Sequence, residues 1–313
     1  MNMIKLRALR AECYWLGMGL AMTTVVAEAT EGGGTSYPLG VNTVIAGRMP
    51  PPGWTSFFYL SDYHATETVD GDGHAKQGIH KFELNVQALS LRNDYVYPGA
   101  SFLGAQVESR LAVPLINGEV SFDVATTAGR VHRSGREAGL GDITIAPVVL
   151  GWSSPRYHQL LGVDVFAPVG DYDKERLFNP GRNAWAYGPW YSFTAYPLER
   201  LELSAKLIYM INATNPATHY RSGREFNADY NLGFNITPKW QLGINGYFYK
   251  QVTDDEQYGE TYGDGNRCQV LAVGPSIKYQ TPDIGLVMKW QHETHVENRS
   301  SGDRLWMQLV YRF

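Results

Sequence analysis

The regular alternation of apolar and polar residues over long segments constrains this chain more than any other feature. In residues 225–236 the even positions are apolar or aromatic, and the odd positions are polar or small. The same pattern returns in residues 201–213, 239–250, 283–293 and 304–313. A period of two places successive side chains on opposite faces of a β-strand. We therefore predict a chain of β-strands, each with one apolar and one polar face.

The length of these segments indicates the kind of sheet. Strands in soluble proteins average about five or six residues, whereas tilted strands that cross a bilayer need about 9–11 residues. Aromatic residues also lie on the apolar faces, as in the interfacial belts of membrane barrels. They are Tyr209, Tyr230, Trp240, Tyr279, Trp290 and Tyr311. A soluble sandwich is the alternative. Because lipid does not tolerate an open sheet edge, we predict an all-β, transmembrane, antiparallel up-and-down β-barrel.

The connections predict about twelve strands between residues 54 and 313. Long connections are expected at 64–79, 114–139, 168–183, 213–222, 252–265 and 294–302, and short ones near 153–155, 197–200, 237–239 and 281–282. Residues 118–125 also alternate, but a thirteenth crossing would break the even count. We therefore assign them to an extracellular hairpin or to an extension of the third strand. Fourteen strands remain the alternative count.

Composition narrows the functional classes. The 313 residues include 27 Lys and Arg against 31 Asp and Glu, a formal charge of −4. This weak acidity argues against a nucleic-acid partner, because phosphate binding needs a basic surface. No apolar run reaches the ~20 residues of a membrane-spanning helix.

The first 29 residues predict export. Residues 1–29 have a basic start, an apolar stretch from 13 to 27, and small residues at Ala27 and Ala29. These are the features of a secretory signal peptide, cut after either alanine. Cleavage would leave Cys268 as the only cysteine, so no internal disulfide is expected.

The rest of the chain divides into residues 30–53, rich in Gly and Pro, and residues 54–313, the barrel. Phe313 is a terminal aromatic on the lipid-facing register and resembles the signal by which barrel proteins are recognised for assembly. We therefore expect the barrel-assembly machinery, membrane lipid and lipopolysaccharide as partners, and the outer membrane of a Gram-negative bacterium as the location.

The segment before the first strand has two interpretations. Its ends are rich in Gly and Pro, which do not suit a sheet interior, while residues 39–48 suit about two helical turns. The segment is either a plug folded back into the lumen or a flexible periplasmic leader. We favour the plug, because a flexible leader rarely carries so many apolar residues. The expected plug residues are Tyr37, Val44, Ile45 and Met49.

The polar register predicts the interior of the barrel. Its charged residues have mixed signs, which favours ion pairs that narrow the lumen over a ring of one sign. These residues are Lys81, Glu83, Glu108, Arg110, Asp164, Glu202, Lys206, Glu225, Asp229, Lys278, Lys289, Glu293 and Arg304. Aromatics on the same register are Phe102, Phe166, Tyr247 and Tyr249. Rings beside a few hydrogen-bonding groups suit a phenol-like compound or a long-chain amphiphile, although simple lumen filling explains any single residue equally well.

Sites for metals and catalysis receive little support. Asp70 to His74 resembles the start of a calcium loop but lacks the later bidentate Glu. His292 and His295 would lie on opposite faces of a strand. An outer-membrane lipase or protease would need Ser, His and Asn or Asp groups gathered at a rim, and His64 is one candidate there. We expect no cofactor, no metal and no enzymatic activity, with the barrel enzyme as an alternative.

Several long stretches match a known family in order and spacing. They include EGGGTSYPLGVNTVIAGRMPPPG (31–53), GLGDITIAPVVLGWSSP (139–155), VFAPVGDYDKERLFNPGRNAWAYGPW (165–190) and LSAKLIYMINATNPATHYRSGREFNADY (203–230). The chain resembles the meta-pathway of phenol degradation family, whose members include sphingosine-inducible porin-like proteins. The resemblance implies an outer-membrane β-barrel that takes up hydrophobic or aromatic small molecules. It supplies no catalytic residues, and a general diffusion porin remains an alternative.

Overall fold

The computed structural model describes residues 34–312, and the predicted signal peptide lies outside them. No helix in this part of the chain is long and apolar enough to cross a membrane. Residues 34–312 contain sixteen strands: β1 (Gly53–Thr68), β2 (Ile79–Phe102), β3 (Ala105–Thr126), β4 (Gly129–Leu140), β5 (Ile143–Ser153), β6 (Tyr157–Ala167), β7 (Ala186–Leu198), β8 (Leu201–Asn212), β9 (Tyr220–Arg221), β10 (Glu225–Asn235), β11 (Trp240–Gln251), β12 (Glu256–Gln257), β13 (Glu260–Thr261), β14 (Gln269–Gln280), β15 (Ile284–Glu297) and β16 (Ser300–Arg312).

Twelve of these strands form a closed antiparallel barrel. The order around the wall is β1, β2, β3, β5, β6, β7, β8, β10, β11, β14, β15 and β16. Pairing of β1 with β16, from Thr55 opposite Arg312 to Thr68 opposite Ser300, closes the barrel. Every strand of the barrel thus has two neighbours and no edge is left in the membrane. The predicted barrel and its twelve strands are confirmed.

The extra strand β4 continues β5 along the same edge of β3. Leu115 of β3 pairs with Leu140 of β4, and Ala112 pairs with Thr144 of β5, so only Gly141 and Asp142 separate the two segments. Residues 118–125 therefore form an extension of the third strand within a hairpin above the barrel. Both parts of the sequence-based assignment are confirmed.

This hairpin forms a wall that extends beyond the barrel. Val120, Phe122 and Val124 lie on its inner face, where Leu177 and Phe178 from the connection between β6 and β7 pack against them. A Cβ added at Gly118 would lie 2.1 Å from the ring of Phe178. Only a glycine lets this ring lie flat on the strand, so the connection is held against the hairpin.

The connections divide into a short end and a long end. The short turns lie where β1 begins and β16 ends, and they include residues 103–104, 154–156 and 281–283. One predicted long connection is wrong: β15 and β16 extend to residues 297 and 300, so 294–302 is a tight hairpin. Extended pairing of β15 with β14, and of β16 with β1, stabilises the strands there.

Aromatic residues line the outer surface at both ends of the barrel. At the short-turn end, the ring of Trp54 lies 4.7 Å from Tyr95, and Trp240 lies 4.7 Å from Tyr279. Trp290 is exposed on the outer face toward the other end. Two such belts bounding an apolar band are typical of a barrel seated in a bilayer.

Prolines interrupt the hydrogen-bonded ladder at defined places, because proline has no N–H to donate. On β5, pairing with β6 lapses between Ile145 and Val149, around Pro147. On β14, pairing with β15 skips Gly274 and Pro275, while pairing with β11 continues through them. The interruption around Pro147 affects both ladders of β5, since its register with β3 also shifts there.

We expect the backbone amides of Ala146 and Val148 to exchange hydrogen faster than those of β10 and β11, by roughly tenfold or more, because local opening follows missing ladder bonds. Strands β10 and β11 pair without a break from Glu225 to Asn235 and supply the internal control. Amide exchange on the folded protein, read by mass spectrometry, measures the difference. Equal protection of both regions would contradict the assignment of a weak seam at Pro147.

Candidate functional site: the occupied lumen

Residues 34–52 lie inside the barrel. Tyr37 and Leu39 are each 2% exposed, Thr43 is fully buried, and Met49 is 7% exposed. Met49 packs at the wall, where a Cβ added at Gly151 would lie 2.7 Å from the Met49 methyl group. The segment therefore contacts the wall along its length, and we refer to residues 34–52 as the lumen segment.

Asp229 on β10 holds the start of the lumen segment. Its carboxylate accepts hydrogen bonds from the Tyr37 hydroxyl at 2.7 Å and from the backbone N–H groups of Gly40 and Asn42, each at 2.9 Å. Asp229 is fully buried. Three donors satisfy a charge that would otherwise be costly to bury.

A lysine and a second carboxylate hold the middle of the segment. The Lys289 ammonium donates to the carbonyl oxygens of Gly40 at 2.6 Å and Val41 at 2.9 Å, and to the Thr43 hydroxyl at 3.2 Å. The backbone N–H of Ile45 donates to Glu202 at 2.9 Å. Charges of both signs thus bind the polar backbone of the segment.

The predicted helical turns in residues 39–48 are wrong. This stretch consists of tight turns, and Gly40 and Ile45 have positive φ values of 75° and 53°. A right-handed helix excludes such values. The N–H group of Ile45, which a helix over 39–48 would use internally, donates to Glu202 of the wall instead.

Paired charges line the wall on either side of the lumen segment. The Arg110 guanidinium contacts Glu108 and also lies 3.6 Å from Asp94, and Arg92 lies 3.0 Å from the same Asp94. Only the contact between Arg110 and Asp94 crosses from β3 to β2, and the other two join residues of one strand. Opposite charges thus neutralise each other locally, as the mixed-sign register predicts.

A second pair lies on β6 and β8. The Lys206 ammonium is 2.8 Å from Asp164, which also accepts the indole N–H of Trp190 at 2.7 Å. The ammonium lies over the rings of Trp190 and Tyr37, 4.4 and 5.0 Å from their centroids. This cation–π contact links the wall to the lumen segment.

The structure places most of the residues predicted for the lumen inside it. Arg110 is nearly buried and Arg304 is half-buried, and both face the interior. Val44 and Ile45 of the lumen segment are half-buried. The remaining predicted wall residues that are buried inside are Glu108, Asp164, Phe166, Glu202, Lys206, Glu225, Asp229, Tyr247, Tyr249, Lys278, Lys289 and Glu293.

Three predicted interior residues lie elsewhere. Phe102 is 56% exposed at the turn between β2 and β3, because the register shifts between Val96 and Ser101. Lys81 and Glu83 are exposed on the extracellular part of β2, where the outer face of the strand is polar and the apolar Phe82 and Leu84 on its inner face line a cavity instead. Lys81 pairs there with Asp123 at 3.3 Å.

The sequence reading missed several residues of the interior. Arg92 and Asp94 lie on β2, which passes through Pro98 and Gly99 and ends at Phe102. Trp306 occupies the same interior register as Arg304, so the alternation could have identified it. Arg182 lies in the connection between β6 and β7, where no periodic signal exists.

Two adjoining cavities remain beside the lumen segment. The inner cavity has a volume of about 290 Å³ and mainly apolar walls that include Tyr59, Phe166 and Trp306. The outer cavity, of about 300 Å³, lies under the hairpin of β3 and β4. Tyr37, Arg182 and Arg304 line both cavities, so the two share part of their walls.

The loops above the outer cavity contain two buried titratable groups. Burial raises the pKa of Asp255, against hydrogen bonds from the Tyr220 hydroxyl, the Gly223 N–H and the Gln251 amide that favour its charged form. Burial also raises the pKa of the Cys268 thiol to about 12. A thiol with this pKa and 1% exposure reacts slowly with aqueous reagents.

A closed antiparallel barrel with apolar residues outside and paired charges inside defines a transmembrane β-barrel. A family model described as "Putative MetA-pathway of phenol degradation" matches residues 66–309. The chain belongs to this family, as the sequence resemblance predicts.

Solved structures share the fold at low sequence identity. The COG4313 outer membrane channel from Pseudomonas putida F1 is 17% identical, with a TM-score of 0.70 over 88% of this chain and 100% of that chain. The beta domain of the Bordetella autotransporter BrkA is 10% identical, with a TM-score of 0.50 over 84% of this chain and 100% of that chain. No curated protein matches the chain by sequence.

Replacing the carboxylate that binds the start of the lumen segment should release it. In an Asp229→Asn variant, we expect a cysteine at Val44 to react at least about tenfold faster with a water-soluble thiol reagent, because a hydrogen bond to a charged group contributes ~1.5–3 kcal/mol. All variants also carry Cys268→Ser, so that the cysteine at position 44 is the thiol that reacts. The reaction rate in the folded barrel is the measurement.

The matched control is Asp62→Asn, whose side chain is exposed on the outer face of β1. This control should leave the rate at Val44 unchanged. Equal rates in Asp229→Asn and Asp62→Asn would mean that Asp229 does not hold the segment.

Proposed function

We propose that this protein is an outer-membrane channel for hydrophobic or aromatic small molecules, in which the lumen segment blocks the aqueous route. The observation that carries the proposal is the occupied lumen. The segment is anchored to Asp229, Glu202 and Lys289 on three different strands. What it leaves open is a cavity with mainly apolar, aromatic walls.

The form of the cavity supports an apolar cargo. Binding sites for small molecules are mostly apolar, with a few polar groups that fix orientation. Tyr59, Phe166 and Trp306 offer ring faces and edges, and the outer cavity offers Phe82 and Phe178. Family membership and the channel fold agree with this cargo class.

The seam at Pro147 offers an exit from the inner cavity. Ala146 lines this cavity, and its strand β5 loses its pairing with β6 at the next residue. Pro147 and Val148 both face outward there. We infer that an apolar cargo passes between β5 and β6 into the membrane, a step that needs few ladder bonds to break.

The alternative of a catalytic barrel has weaker support. His64 lies 2.6 Å from Asn85, and His292 lies 2.9 Å from Asp303, all on the outer rim. Within residues 34–312, however, no serine hydroxyl hydrogen-bonds either ring, so no nucleophile is aligned with them.

A general porin would conduct ions steadily, and the occupied lumen should not. We expect the wild-type protein in planar bilayers to pass less than about a tenth of the current of a variant lacking residues 34–52, since the pore radius controls conduction. The Asp229→Asn variant, which keeps the full chain, should lie between them. Equal steady currents in all three proteins would contradict occlusion and favour a general porin.

Filling the inner cavity should remove cargo binding. We expect Ala146→Phe to weaken binding of 2-naphthol by roughly tenfold or more, because the added ring occupies the space of the ligand. Equilibrium dialysis against the protein in nanodiscs, corrected for empty nanodiscs, measures this affinity. Val148→Phe, two residues along β5 on the outer face, is the matched control.

Both variants should keep the heat-modifiable electrophoretic mobility of a folded barrel, which serves as the control for folding. Loss of binding in Ala146→Phe alone supports the cavity as the cargo site. Unchanged binding in Ala146→Phe, or equal loss in both variants, would contradict it.

A further inference from the structure

Two arginines in the cavities have no ion-pair partner among residues 34–312. Arg92, Arg110 and Lys206 each pair with a carboxylate of the wall. Arg182 and Arg304 form no ion pair, although both line the inner and the outer cavity. Positive charge is therefore concentrated where the two cavities meet.

Two hydrogen-bond donors on one face of β16 are also unused. The Nε of Arg304 and the indole Nε1 of Trp306 are buried and have no hydrogen-bond partner in the part of the chain that the structure describes. Trp306 is 4% exposed. The guanidinium of Arg304 lies over Tyr63, 4.5 Å from the ring centroid, which fixes its position. Buried donors without partners are rare in folded proteins, and a bound group often supplies the acceptor.

The carboxylates that line the inner cavity do not supply this acceptor. Asp164 accepts from Lys206 and Trp190, at 2.8 and 2.7 Å. Asp142 accepts from the backbone N–H groups of Gly170 and Arg182, at 3.0 and 2.8 Å. Both acidic groups are thus engaged with other donors, while Arg304 and Trp306 line the cavity without an acidic partner.

We propose that the cargo is a hydrophobic carboxylate, whose head group binds Arg304 and the Trp306 indole N–H, with Arg182 adding positive charge. The apolar body lies against Phe166 and Tyr59 in the inner cavity. This inference rests on the proposed function and narrows it from apolar molecules in general to those with one anionic end. A carboxylate matches the planar donor fork of a guanidinium, and the same arginines repel a cationic amphiphile.

Three probes with the same ring system test the charge of the head group: 2-naphthoate, neutral 2-naphthol and cationic 2-naphthylmethylamine. Their affinities are measured by equilibrium dialysis near neutral pH against the protein in zwitterionic nanodiscs. We expect 2-naphthoate to bind at least about tenfold more tightly than 2-naphthol, since a hydrogen bond to a charged group exceeds one between neutral groups. The amine should bind most weakly.

Variants separate the head-group site from the apolar cavity. Arg304→Gln should remove the preference for 2-naphthoate while leaving the affinity for 2-naphthol within about twofold, because only the charged interaction is lost. Arg130→Gln, an exposed change on β4, is the matched control and should keep the preference. If Arg304→Gln does not fold, Arg182→Gln serves as the second variant, and we expect it to reduce the preference for 2-naphthoate by a smaller factor.

The outcomes distinguish this inference from the proposed function. Equal binding of 2-naphthoate and 2-naphthol would overturn the inference and leave the hydrophobic channel standing. Tightest binding of the amine would also overturn the inference. If none of the three probes binds, the proposed function fails as well. A preference for 2-naphthoate that survives both Arg304→Gln and Arg182→Gln would place the head group elsewhere and contradict the assigned site.

Discussion

Charged groups inside a barrel must either be hydrated or be paired, and this requirement shapes the interior of the protein. Asp229, Glu202 and Lys289 are buried on three strands of the wall. An unpaired charge in such a place would cost several kcal/mol, roughly. The lumen segment meets this need with its backbone, since its N–H groups donate to the two carboxylates and its carbonyl groups accept from the lysine. The wall and the segment thus stabilise each other.

The same contacts determine what the lumen can carry. With the lumen segment in place, the space left is divided into two adjoining cavities, and residues of β1, β2, β3, β5, β6 and β16 line the inner one. Their walls are mainly apolar, and their polar groups cluster at Arg182 and Arg304. An apolar molecule with one polar end fits such a space better than a hydrated ion does. The weak seam at Pro147 lies beside it and gives that molecule a route that leaves the lumen segment undisturbed.

Much of the fold follows from the sequence. Strict alternation over strand-length segments identified the two faces of the wall, and the balance of short and long connections gave twelve strands. Two features limited this reasoning. Phe102 was misplaced because a register shift before it moves its side chain to the other face without changing the local composition. Glu83 was misplaced because the outer face of β2 is polar in its extracellular part, where Phe82 and Leu84 give the strand an apolar inner face. Connections also carry no period, so the sequence did not indicate Arg182.

The conformation of the lumen segment was the hardest feature to predict from the sequence. Its apolar residues suggested a plug, but its conformation depends on partners more than a hundred residues away, such as Glu202 for the N–H of Ile45. Local propensity favoured a helix in residues 39–48. The charged wall competes for the same backbone groups and favours turns with positive φ instead. Such long-range competition leaves no trace in the local sequence pattern.

The central claim is that residues 34–52 occupy the lumen of the folded barrel in its membrane. The most direct test is the distance between a spin label at Ala46 and one at Lys239, in the exposed turn between β10 and β11, measured in outer-membrane vesicles. The account predicts one narrow distance distribution, because the segment is anchored on three strands. A broad distribution, like that of a flexible chain outside the barrel, would contradict it.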